Sequence, residues 1–302
     1  MTCALLFSGQ GTQHAGMLPW LEASAAAAPT LAAMQAITGT DWRTRLEDPQ
    51  QRSANDFAQP LVVGTALAAW AALAPMMPGP PAIVAGYSVG ELAAFAAAGV
   101  FTADNALALA QARARMMDEA APAEATGLVA ISGLAAAAVL RACPALECAI
   151  QIDVDNNVYG GTAAALEQAA NLLGTRATLK PLDVKIASHT SWMRAASHRF
   201  AIELAGRPLS RPSCPIATCF TGAPARDPAE LADALARQIS HPLMWSDVLA
   251  AVAERLPSCV LEIGPGQALA RMWNTRFPDI PARSLDEFRG PEGAAAWAAR
   301  FV

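Results

Sequence analysis

Charge is scarce in this sequence. Of 302 residues only 16% are Asp, Glu, Lys or Arg, and none of these falls between positions 57 and 90. With 54% hydrophobic residues the chain can fill a large core, so a disordered or highly solvated protein is excluded. Lysine stands only at 180 and 185. A formal charge of -5 and a pI near 5.4 argue against a dedicated nucleic-acid binder. The start, MTCALLFSGQG, lacks a basic leader and reaches glycine too early for a signal peptide. The uncharged stretch LVVGTALAAWAALAPMM is short, rich in Ala rather than Leu, and stopped by PGPP. A spanning helix needs about 20 strongly apolar residues. A buried core helix, no membrane association and a cytoplasmic location are expected. Cysteine numbers only six. Cys143/Cys148 and Cys214/Cys219 share a C-x4-C spacing, but both pairs sit in apolar sequence where a reduced thiol packs as a small hydrophobe. Neither a metal site nor a disulfide framework is expected.

What the sequence does contain is an alternation of short apolar strands and longer helices, the pattern of an α/β fold. CALLFSG reads as a first strand, AIVAG as a second after PGPP, and TADNALALAQARARMMDEA as a helix capped by Thr102. From about 126 the character changes. GLVAISGL, ECAIQIDVDN, VYGG and ATLKPLDVK alternate with two short helical stretches, a β-α-β-β-α-β order in little space. The α/β pattern then resumes with CPIATCF, DPAELADALARQI, WSDVLAAVAERL and SCVLEIGPG. The expected organisation is a large domain in two parts, 1–125 and 188–302, with a small domain inserted at 126–187.

Residues 86–91 read GYSVGE. The pattern G-x-S-x-G between a strand and a helix suits a strained turn that exposes a serine nucleophile. It also suits a glycine-rich turn with an idle serine, and the stretch alone does not separate the two. A seryl hydroxyl needs a base, most often His, and histidine is another scarcity. There are four: His14, His189, His198 and His241. His198 reads as a helix-surface residue, His241 as a helix-end residue, and His14 follows the first glycine turn. His189 lies where the insert ends and the large domain resumes, a junction that favours a cleft. Arg113 falls on an apolar helical stripe with Leu109, Met116 and Met117, whereas Arg115 neighbours Gln111 and Glu119 on a polar face. A guanidinium aimed at a core needs a carboxylate, supplied either by the chain or by a ligand.

FSGQGTQHAGM, ANDFAQP, GYSVGE, RARMM, IASHTSWM and LEIGPG follow the order and spacing of the malonyl-CoA:acyl-carrier-protein transacylase family, which the chain resembles over nearly its whole length. The resemblance implies an α/β-hydrolase-like large domain with an inserted small ferredoxin-like domain. It implies a ping-pong acyl transfer in which Ser88 takes malonyl from malonyl-CoA and yields it to the thiol of a carrier's prosthetic arm. His189 is then general base and acid, oriented by backbone carbonyls. The N–H groups of Gln10 and Val89 form the oxyanion hole, Arg113 recognises the malonyl carboxylate, and Gln59 lines the pocket. No permanently bound cofactor is implied; coenzyme A enters as part of the substrate, and the partner is an acyl carrier protein.

Three positions depart from that pattern. Tyr87 stands where the family usually has His. Ser188 before His189 is compatible with either malonyl or methylmalonyl. The loop DVDNNVYGG is shorter than usual, which puts a role for Asn156 or Asn157 in question. GYSVGE and the ending IPARSLDEFRGPEGAAAWAARF look most like the epsilon subunit of malonate decarboxylase, whose carrier is another subunit of that enzyme. A transacylase of fatty-acid or polyketide synthesis is the alternative within the family. A serine hydrolase or thioesterase is the alternative from another class; it would use His241 with Asp183 or Asp153 and leave Arg113 idle.

Overall fold

The first strand, β1 (Cys3–Phe7), is buried on both faces, and its residues divide between two cores by parity. Cys3, Leu5 and Phe7 enter one apolar cluster, Ala4 and Leu6 another. Such a strand belongs in the interior of a parallel sheet covered by helices on both sides. The computed structural model, which describes residues 2–301, places it there. The other strands are β2 (Val84–Gly86), β3 (Thr126–Ser132), β4 (Glu147–Gln151), β5 (Asn156–Thr162), β6 (Thr178–Pro181), β7 (Ile216–Ala217), β8 (Pro224–Ala225), β9 (Cys259–Ile263) and β10 (Ala282–Ser284). Six of them form one sheet in the order β10-β9-β1-β2-β7-β8. All its pairings are parallel except β7 with β8.

One face of this sheet is covered by the helices Asn55–Leu73, Gly90–Ala97 and Ala103–Ala120, the other by Trp245–Ala253 and Ala268–Arg276. The uncharged stretch near position 60 is thus a core helix. It is long and apolar enough to pass for a membrane span, but most of it is buried within the fold. Thr102 caps the helix Ala103–Ala120 by accepting a hydrogen bond from the Asn105 N–H.

The remaining strands form an antiparallel sheet in the order β4-β5-β3-β6. With the helices Ala136–Ala142 and Ala163–Leu173 they give the expected β-α-β-β-α-β sequence and a ferredoxin-like arrangement. Parity again decides the packing. Val129 and Ile131 of β3 face the small sheet's own helices, while Leu128 joins Ile150, Val158, Leu243 and Trp245 in a core shared with the large sheet. The mouth between the two sheets is where the chemistry-bearing residues collect.

Candidate active site

Ser88 stands at the corner between β2 and the helix Gly90–Ala97, with φ at +55°. A left-handed conformation is unfavourable for any residue with a Cβ, and such strain clusters at functional corners. The flanking glycines make the corner possible. A Cβ on Gly86 would lie 2.2 Å from the Gly90 carbonyl carbon, and one on Gly90 would lie 2.5 Å from the Phe7 carbonyl oxygen. The serine oxygen projects into a cleft of about 420 Å³ that also borders Gln10, Gln59, Arg113 and His189.

Of the four histidines, His189 is the one that meets Ser88. Its Nε2 lies 2.8 Å from Ser88 Oγ, and its Nδ1 lies 2.6 Å from the carbonyl oxygen of Gln238. A carbonyl can only accept, so Nδ1 carries the proton and Nε2 is left bare to accept the seryl proton. The imidazole is 2% exposed. Burial, with the positive charge of Arg113 second, pushes its pKa down to about 3. It is therefore neutral, the form in which an imidazole can accept a proton. His14 instead meets Asp286 at 2.9 Å, His198 is exposed on the helix Arg194–Ala205, and His241 Nδ1 donates to Arg237 O at 2.9 Å and lies 3.2 Å from Ser240 Oγ. Asp183 lies 3.9 Å from Arg52 and Asp153 accepts from the Val154 N–H at 2.8 Å; among the described residues neither bonds to His241, so the hydrolase-like combination is not assembled.

Arg113 is 1% exposed and lies behind the serine. Its Nη1 donates to Gln59 Oε1 at 2.7 Å and its Nη2 to Ser88 Oγ at 3.4 Å, while Nε has no partner. None of the ion pairs among the described residues includes it. The structural carboxylate that a buried arginine would otherwise demand is thus not in contact. Burial lowers its pKa to about 10, partly opposed by the charge of Glu91. Gln59 orients the fork: it accepts from Nη1 and turns its own amide toward Met117 Sδ at 3.7 Å.

Gln10 and Val89 lie on the two turns that meet at the cleft. Among the described residues neither backbone N–H donates to a protein acceptor. Gly9 lets the turns approach, since a Cβ there would be 2.5 Å from the Tyr87 carbonyl oxygen. The Gln10 side chain is engaged elsewhere, donating to Ser53 O at 3.3 Å. Tyr87 borders the cleft and packs edge-on against Trp245, with ring centroids 4.9 Å apart. Ser188 lines the same cleft. Asn156 and Asn157 do not reach it: they open strand β5, accepting from Ser132 Oγ at 2.9 Å and from the Ile152 N–H at 3.0 Å.

Three residues here escaped the sequence reading. Gln238 contributes its carbonyl to His189 and its side-chain amide to Ser88 O at 3.3 Å, and a main-chain contribution leaves no trace in residue type. Glu262, fully buried, accepts from Ser8 Oγ at 3.0 Å and from the Ala270 N–H at 2.9 Å, tying the first glycine turn to the helix Ala268–Arg276. An acid inside the apolar run SCVLEIGPG was the available signal. Glu91, also fully buried, accepts from the Cys219 N–H at 2.6 Å. Burial raises its pKa to about 8, against the lowering effects of that bond and of Arg113.

That displacement has a consequence for stability. Glu91 binds its proton more tightly in the folded than in the unfolded chain, whose carboxyl titrates near 4.5. Its contribution is complete below pH ~4.5 and is lost as pH rises through about 8, at about 1.4 kcal/mol per unit of displacement. Glu91→Gln keeps an oxygen for Cys219 but cannot ionise. Its melting temperature should fall less than the wild type's between pH 5 and 9 in scanning calorimetry. Parallel curves would show that Glu91 does not titrate in this window.

Known proteins resemble this chain over nearly its whole length. Residues 4–281 match the acyl transferase domain family. The malonyl CoA-acyl carrier protein transacylase of Salmonella typhimurium is 30% identical over 94% of this chain and 96% of its own length. The solved acyl-carrier-protein S-malonyltransferase of Burkholderia pseudomallei is 29% identical, with a TM-score of 0.89 over 98% of this chain and all of the other. A solved malonyl-transacylase in complex with a type II polyketide-synthase acyl-carrier protein is 25% identical, again with a TM-score of 0.89, over 98% of this chain and 99% of its own. The chain belongs to the acyl transferase domain family and, within it, to the malonyl-CoA:acyl-carrier-protein transacylases.

Proposed function

We propose that the protein moves a malonyl group from malonyl-CoA, through an ester on Ser88, to the thiol of an acyl carrier protein. One observation carries this reading: a nucleophile–imidazole pair and a buried guanidinium without a carboxylate converge on one hydroxyl. Ser88 Oγ lies 2.8 Å from His189 Nε2 and 3.4 Å from Arg113 Nη2.

In the first half-reaction His189 Nε2 takes the seryl proton as Oγ attacks the thioester carbonyl. The oxyanion that forms accepts from the N–H groups of Gln10 and Val89, each worth about 3 kcal/mol by analogy with other acyl-transfer enzymes. The intermediate collapses, the C–S bond breaks, and the imidazolium returns the proton to the departing CoA thiolate. The second half-reaction reverses these steps with the carrier's thiol as nucleophile. Arg113 would receive the free carboxylate on its Nε–Nη2 edge, where Nε has no partner and Nη2 holds only the 3.4 Å contact with Ser88 Oγ, while Gln59 engages Nη1. A terminal carboxylate would thereby be distinguished from a methyl.

The relatives' names and the solved carrier complex support an acyl carrier protein of fatty-acid or polyketide synthesis as acceptor. The carrier subunit of malonate decarboxylase rests only on GYSVGE and the C-terminal stretch. Incubating the protein with malonyl-CoA, with and without a phosphopantetheinylated acyl carrier protein, tests the reading. Malonyl-carrier should form, and free malonate should stay a minor product when the carrier is present. Rapid release of malonate without carrier loading would assign a hydrolase.

A further inference from the structure

We infer that Glu147, in the small sheet and outside the cleft, is the positioning residue that holds His189 against Ser88. The inference rests on His189 being the general base. The imidazole is held between two segments of the large domain. Residues 188–193 carry it, and residues 238–243 supply its anchors: the His189 N–H donates to Ile239 O at 2.9 Å and Nδ1–H to Gln238 O at 2.6 Å. Both segments are gripped by one strand of the small domain. β4 is the edge strand of its sheet, and its free edge pairs with Leu243: Gln151 N–H donates to Leu243 O at 2.8 Å and Leu243 N–H to Ala149 O at 2.9 Å. At the other end of β4 the Glu147 carboxylate accepts from the Ser191 N–H at 2.8 Å and from Ser191 Oγ at 2.5 Å.

Ser191 lies two residues beyond His189, at the start of the turn that runs into the helix Arg194–Ala205. A carboxylate there forms charge-assisted hydrogen bonds with groups that have no helical partner. Glu147 takes part in no ion pair among the described residues, so its bonds go to this segment alone. His189 itself has φ at +62°, a conformation that its surroundings must enforce. Thr190 Oγ1, donating to Ala187 O at 2.6 Å, closes the turn locally, and Glu147 fixes it to the sheet. Through β4 the small domain sets the gap between imidazole and hydroxyl.

The Nδ1–H of His189 supplies a direct readout, because a proton in a 2.6 Å bond resonates far downfield in protein labelled with ¹⁵N-histidine. In Glu147→Ala this resonance should shift or broaden. Acylation of Ser88 by malonyl-CoA should slow by about 10²-fold with KM unchanged, the cost of misplacing a catalytic group by about 1 Å. Glu147→Gln keeps an acceptor for the Ser191 N–H and should restore most of the rate. An unmoved resonance, or a loss in the alanine variant confined to KM and melting temperature, would overturn the inference. Should Glu147→Ala fail to fold, Ser191→Ala severs one of the two bonds and must displace the same resonance; no displacement there refutes it equally. The resonance needs no substrate. A wild type that malonyl-CoA does not acylate would therefore overturn the transferase reading while the resonance still decides the role of Glu147.

Discussion

Ser88→Ala, incubated with malonyl-CoA, is expected to show no protein species heavier by one malonyl group in intact-mass analysis, whereas the wild type shows one. The hydroxyl is the only group removed. The corner is shaped by Gly86, Gly90 and the strands beneath them, so the fold should persist. Ser88→Gly should be equally inactive and more stable than the alanine variant. Left-handed backbone costs about 1–2 kcal/mol with a Cβ present, of which the flexibility of glycine in the unfolded chain returns about 0.5–1 kcal/mol. Acylation of the alanine variant at an undiminished rate would locate the nucleophile elsewhere. A glycine variant less stable than alanine would show that the φ of +55° stores no strain.

For Arg113→Ala the quantity to measure is the ratio of malonyl to acetyl transfer. Truncating one half of a buried charge pair costs roughly 3–5 kcal/mol, so malonyl transfer should fall by about 2–4 decades. Acetyl transfer has no carboxylate to lose and should hold steady or rise. A second effect follows from the same charge. Arg113 helps to lower the pKa of His189, so its removal makes the imidazole easier to protonate. The acid limb of the acetyl-transfer pH profile should therefore move to higher pH in the variant. If Arg113 served only the fold, both substrates would decline together with the melting temperature, and the ratio would not change. Arg113 makes no ion pair among the described residues, which argues for the first outcome: no carboxylate there loses a contacting partner when the guanidinium goes, and Glu91 loses only the pull of a charge it does not touch.

Features set by neighbouring residues were legible in the sequence. The elbow is a matter of local sterics, because glycines two before and two after Ser88 are what the corner requires. The Thr102 cap, the burial of the uncharged helix and the β-α-β-β-α-β order follow from periodicity and punctuation, which act over a few residues. The split of CALLF between two cores follows from the twofold repeat of a strand.

Tertiary structure alone decided the rest, since those interactions join positions far apart or use atoms common to every residue. Ser88 and His189 are 101 residues apart and meet only because the inserted sheet returns the chain to the mouth of the large one. The anchor of His189 is the carbonyl of Gln238, an atom every residue possesses, so no residue type could announce it. Whether Arg113 had a carboxylate of its own depended on where Glu91 points. In the sequence Glu91 is an ordinary acid in the first turn of a helix; in the fold it is buried against the Cys219 N–H. Asn156 and Asn157 turned away from the cleft because strand pairing claimed their side chains for the β4–β5 hairpin and for Ser132. Sequence determines which groups are present and what each short stretch prefers. The dense packing of a buried interior, where most polar groups must find a partner, decides which of those groups face one another.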